Sequence, residues 1–157
     1  MNLCIHGHFY QPPRGDPISN YIPDEIGAEP FGNLNERILA ECYAPNARSG
    51  SFQKISFNVG ATLMRWMDSF AGETYTQIIA QEQWNYANYG VGNGMAQSYN
   101  HSILPLANAQ DKITQVRWGI KDFELRFGHQ PAGMWLPETA VDTVSYTHLT
   151  LPTIYSV

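Results

Sequence analysis

Only two cysteines, Cys4 and Cys42, occur in 157 residues, and they lie too far apart for the disulfide framework that staples small secreted domains. Their apolar and helical contexts predict buried thiols instead. Basic charge is scarce as well: nine Lys and Arg stand against 14 Asp and Glu, the net charge is −5, and no basic run exists to neutralise phosphates. Nucleic acid is therefore excluded as a partner, and a neutral or cationic one fits better. No basic leader precedes a long apolar segment, and the first hydrophobic stretch breaks at His6. Neither signal peptide nor membrane partner is expected, which makes the cytoplasm the default location. What the chain does have is core material, at 43% hydrophobic and 13% aromatic. That suits one domain with a real core. Its four Trp and nine Tyr chiefly fill such a core, although these rings also stack on sugars.

Strand and helix signals alternate along the chain. Leu3 to Phe9 is the first strand candidate, followed by a long loop rich in Pro, Gly, Asn and Asp. A helix is expected from Asn35 to Tyr43, stopped by Pro45, and a second strand over Lys54 to Val59. Leu63, Trp66, Met67 and Phe70 recur at i, i+3, i+4, i+7, so they predict one helix face packed on the sheet. Glu73 to Tyr86 continues as helix. Gly90 to Gly94 lacks the Lys and Ser/Thr of a phosphate-binding loop and reads as a plain connector. Ala96 to Leu104 is a third strand or strand-like turn. Asp111 to Phe127 is the clearest helix, with Ile113, Val116, Ile120, Phe123 and Phe127 in a stripe and Gly128 as C-cap. Gly133 to Leu136 is the fourth strand. Strands separated by helices imply parallel βα units, whose ligand sites lie at the C-terminal strand ends.

Those ends carry the chemistry. His6 and His8 share a face of the first strand and point into one cleft. Glu138 follows a Trp and a Pro at the end of the fourth strand, where it is either a nucleophile or the cap of a following helix. Asn58 and His101 fall at the same edge, and His101 either joins the cleft or is a satisfied core histidine. Two imidazoles on one face also begin the metal sites of amidohydrolases. Two ligands are not a site, however, and no further ligand motif accompanies them. Hydrogen bonding of neutral histidines to a bound substrate is the leading reading, with no metal and no cofactor. His129, beside a helix C-cap, reads as surface. Arg117 reads as paired with an acid, and Arg37, Glu36 and Glu41 as an ion-paired helix face.

The strings HGHFYQPP (6–13), NERILAECYAPN (35–46), ISFNVG (55–60), YNHSILPL (99–106), TQVRWG (114–119) and MWLPETAVD (134–142), in that order, resemble the N-terminal part of glycoside hydrolase family 57. The likeness is to a poorly characterised bacterial branch of the family. It implies an α/β fold, the first four or so βα units of an incomplete (β/α)7 barrel. It also implies a retaining enzyme acting on α-glucans or related oligosaccharides, with Glu138 as nucleophile. Substrate-binding roles are implied or read for His6, His8, Gln11, Asn58, His101 and Trp135. The family's acid/base is an Asp on a later strand, so residues 1–142 alone would lack a complete site. Residues 143–157 break the pattern, and Val144 to Thr153 matches a translated sequencing-library adapter, so this tail is expected to be foreign and His148 without function. The rival classes are a metal-dependent hydrolase using the His-x-His pair and a noncatalytic carbohydrate-binding module.

Overall fold

The computed structural model describes residues 3–19 and 21–143. Its order is β1 (His6–Phe9), α1 (Leu34–Ile38), a π-helical turn (Leu39–Tyr43), α2 (Ala44–Arg48), β2 (Ser56–Val59), α3 (Ala61–Phe70), α4 (Gly72–Tyr89), β3 (Ala96–Gln97), α5 (Ala109–Phe127) and β4 (Met134–Trp135). This is a mixed α/β chain. β1 pairs parallel with β2, and β3 pairs parallel with β4. A parallel bridge at Phe57 joins the two pairs, with Phe57 N donating to Asn93 O at 3.0 Å and Met95 N to Phe57 O at 2.7 Å. Each parallel neighbour is reached through helices, as such pairing requires.

Apolar burial holds this arrangement. Phe52, Phe57, Leu63, Met64, Met67 and Ile78 are almost wholly buried, and Phe123 and Phe127 of α5 close the same cluster. Each such side chain contributes about 1.5–3 kcal/mol on leaving water. Rings of Phe9, Phe52, Phe57 and Phe127 meet in sequence with centroids 4.9–6.3 Å apart. Among the described residues no helix is long and apolar enough to cross a membrane.

Several expectations are corrected. Cys4, in the residues that lead into the edge strand β1, is exposed, and Cys42 is half-buried. Helix does not stop at Pro45: Ala44 N reaches back to Leu39 O, and this wider turn takes the missing proline N–H out of the ladder, so the chain stays helical to Arg48. On α3 the buried stripe is Leu63, Met64 and Met67, which leaves Trp66 at the margin and Phe70 exposed. α5 begins earlier than expected, at Ala109, because the Asn108 side chain accepts from Asp111 N at 2.9 Å. Gly128 does cap its end. Arg37 pairs with Glu41 at 3.1 Å, whereas Arg117 is exposed and has no ion pair among the described residues.

The glycine-rich connector and His129 differ most from expectation. Glu82 of α4 is fully buried, and its Oε2 accepts from Asn93 N at 2.9 Å and Gly94 N at 2.8 Å. The loop is thus wrapped around a carboxylate. His129 is no surface residue: its side chain is 5% exposed, its ring stacks on Tyr86 at 3.9 Å, and its Nε2 lies 3.3 Å from Glu82 Oε1. Gly92 has to be glycine here, since a Cβ would sit 1.7 Å from Glu82 Oε1. His129 Nδ1 donates to Gln130 O at 2.9 Å, which turns Nε2 toward the buried carboxyl. Burial pushes the Glu82 carboxyl above the usual range, against the lowering effect of the two amides and His129.

Candidate active site

One layer of side chains crosses all four strands. His8 of β1 is in register with Asn58 of β2, and Gln97 of β3 with Trp135 of β4. Asn58 Nδ2 donates to Gln97 Oε1 and so ties the two pairs together. Its other contacts reach the histidines: Asn58 Oδ1 lies 3.0 Å from His6 Nε2 and 3.1 Å from His8 Nδ1. His6 Nδ1 is 2.8 Å from Ser56 Oγ. Both His6 ring nitrogens are therefore occupied, and neither is free for a metal. His6 also stacks on Trp135 with centroids 4.4 Å apart and planes 10° from parallel. His8 stands 5.4 Å from the same indole and is exposed, so an edge of it faces solvent.

The layer continues through His101 to Glu138. His101 stacks between Tyr10, at 3.8 Å, and His8, at 5.1 Å, and its Nε2 lies 3.5 Å from Glu138 Oε1. The His101 side chain is 8% exposed, that of Glu138 67%. Burial, reinforced by His8, holds the His101 imidazole below its ordinary pKa despite the opposing pull of Glu138. The ring is therefore neutral at neutral pH, and an Nε2–H tautomer meets the carboxylate best. Backbone geometry at this point is unusual: His101, Glu138 and Thr139 take φ of 56°, 55° and 54°, the left-handed region that non-glycine residues avoid. Such strain collects where a side chain must be held in one place. Glu138 lies within the short 3-10 turn Pro137–Thr139 that leaves β4.

Six of the seven residues picked from the sequence meet here: His6, His8, Asn58, His101, Trp135 and Glu138. Asn58 is fully buried beneath the others. Gln11 does not join them. Its Nε2 donates to Tyr43 Oη at 3.1 Å, its Oε1 accepts from Arg14 Nη2 at 3.3 Å, and it lines a separate cavity of about 280 Å³ beside α3. Ser56, Tyr10 and Gln97 were missed. Ser56 and Asn58, two apart on one strand face, form the signal that finds the first, but nothing local marks Gln97 until β3 is placed beside β2. Among the described residues no group of three or more His, Cys, Asp or Glu is placed to hold a metal ion.

Comparison with curated proteins and with solved structures gave no match. The family model described as glycosyl hydrolase family 57 matches residues 6–146, from the first histidine of the layer to beyond Glu138, and the chain belongs to that family.

Proposed function

We propose that this domain supplies the nucleophile side of a retaining glycosidase site for α-glucans or related oligosaccharides. The observation that carries the reading is Glu138. It is an exposed carboxylate fixed by a left-handed turn at the end of β4, beside a neutral histidine and a His–Trp stack. A glycosyl intermediate forms when such a carboxylate attacks the anomeric carbon and the leaving oxygen departs with a proton. His101 orients the carboxylate through its Nε2–H. The accessible edge of His8 and the Trp135 ring provide a polar contact and an apolar face, which together match a sugar ring's hydroxyls and its C–H surface. Asn58 and Gln97, both buried, hold these groups rather than touch substrate.

Retention needs a second carboxyl about 5–5.5 Å from the first. None joins the contacts of this layer among the described residues, and we assign that role to an Asp outside residues 1–142. The occupied nitrogens of His6 weigh against the metal-hydrolase reading. A noncatalytic module would bind sugar without covalent chemistry. An α-glucosyl fluoride donor separates these cases, because fluoride leaves without needing a proton. Stoichiometric fluoride release, lost in Glu138→Gln, is the expected result. Equal release by wild type and variant would remove Glu138 as the nucleophile.

A further inference from the structure

Beside α3, two adjoining cavities of about 280 and 410 Å³ share Ile22, Trp66 and Phe70 in their walls. No side chain of the layer from His6 to Glu138 lines either one. Trp66 and Phe70, one turn apart on α3, stack with ring centroids 5.9 Å apart and planes 29° from parallel. Phe70 is 62% exposed, and Tyr21, in the wall of the second cavity, is 65% exposed. Large rings gathered around one hollow, rather than scattered singly, mark a binding surface.

The wall of this groove is tied down by its own hydrogen bonds. Thr62 Oγ1 donates to Gln11 O at 2.8 Å, and Gln11 follows the end of β1 by two residues, so the groove begins at the strand end that also carries His8. Glu25 accepts from Arg14 Nη1 at 2.6 Å and from Leu34 N at 2.8 Å, which pins the proline-rich loop onto the start of α1. Polar capacity is left over. Asn35 is 4% exposed, and neither its Oδ1 nor Arg14 Nε has a hydrogen-bond partner among the described residues, although both side chains line the first cavity. Arg65, exposed in the same wall, makes no ion pair among the described residues. A purely apolar occupant would leave the spare acceptor and donor unpaired, whereas hydroxyl groups both donate and accept. The rings offer the apolar face that a sugar's C–H surface needs. Concave walls that combine such rings with a few polar groups are those of small-ligand sites.

We propose that this groove is a second carbohydrate subsite, with the Trp66–Phe70 pair as its platform, that holds a stretch of glucan chain apart from the Glu138 centre. The choice of a glucan rests on the reading under Proposed function, and the groove's continuity with the end of β1 favours a sugar chain over a second copy of the protein. Indole 1H–15N spectra of the full chain, titrated with maltoheptaose, read the contact directly, the Trp66 signal being assigned by its loss in Trp66→Phe. That signal should shift saturably, and it should do so in Glu138→Gln as well. In calorimetry Trp66→Ala should weaken maltoheptaose binding by roughly two- to tenfold, the leverage of one stacked ring, and Trp66→Phe, which keeps a ring, should recover most of it. Should the Ala variant not fold, the wild-type titration decides alone. A Trp66 signal that maltoheptaose leaves unmoved, or unchanged affinity in a folded Trp66→Ala, overturns the proposal. A signal that moves only with protein concentration assigns the groove to a contact between copies and overturns it too. Fluoride release from glucosyl fluoride without a Trp66 shift removes the subsite and leaves the glycosidase; a saturable Trp66 shift without fluoride release leaves the subsite and removes the glycosidase.

Discussion

Replacing Glu82 separates what its shape does from what its charge does. Glu82→Ala strips the acceptor from two backbone donors, Asn93 N and Gly94 N, that have no other partner in this loop. Each buried unsatisfied donor costs about 1–3 kcal/mol, and the space vacated by the side chain adds about 1–2 kcal/mol. The expected loss is about 3–8 kcal/mol, a large share of the ~5–15 kcal/mol typical of a domain. Glu82→Gln keeps an oxygen for the amides and offers an N–H to His129 Nε2, so its cost should stay within about 1 kcal/mol. Urea unfolding followed by tryptophan fluorescence measures both. The sign of the pH dependence follows from the raised folded-state pKa of Glu82. The folded protein holds this proton more tightly than the unfolded chain. The associated stability is therefore complete below the ordinary Glu range and is lost as pH rises through the folded value. Wild type should lose stability relative to Glu82→Gln across that window. A Gln variant as damaged as the Ala variant, or a difference that grows in the opposite direction with pH, refutes the account of the loop.

Other outcomes follow from the same packing. Gly119→Ala should cost more than about 2 kcal/mol, because the Gln97 carbonyl in its way is backbone; melting temperature reports it, and an unchanged value contradicts the contact. His8→Ala should weaken binding of a maltooligosaccharide by roughly tenfold in calorimetry, with no change in bound metal; loss of stoichiometric zinc would instead favour the metal hydrolase. β1 and β4 are edge strands among the described residues, so the chain should self-associate in sedimentation, and deleting residues 143–157 should neither cure this nor cost stability. A monomer that loses stability on deletion would make the tail native.

Periodicity was enough to find the helices and the four strands because each amphipathic stripe lies on one local element. Strand lengths were overestimated where pairing is set by neighbours: β3 spans only Ala96–Gln97, since the turn from Ser98 to the left-handed His101 ends the ladder. The same limit explains why His129 was read as surface and Glu82 was not singled out. Neither a glutamate on a polar helix nor a histidine after a glycine cap carries a local sign of burial, and only their meeting across 47 positions of sequence, at 3.3 Å, hides both. Within the site, His6, His8 and Glu138 were legible from strand-end position, whereas Gln97 acquires meaning only through its register with Trp135 and its bond to Asn58. The (β/α)7 barrel is implied only by the resemblance, because two linked pairs of short parallel strands fix neighbours and not closure. The family match extends to residue 146, a few residues beyond the Asp142 boundary drawn from pattern.

The central claim is that Glu138 attacks the anomeric carbon. Incubating the chain with a 5-fluoro-α-glucosyl fluoride, which slows breakdown of any covalent intermediate, followed by peptic digestion and mass spectrometry, tests it most directly. One glycosyl adduct on the peptide containing Met134 to Asp142, fragmenting to Glu138, is the predicted result. An adduct on a different carboxylate, or none while the sugar still binds at the His8–Trp135 face, would contradict it.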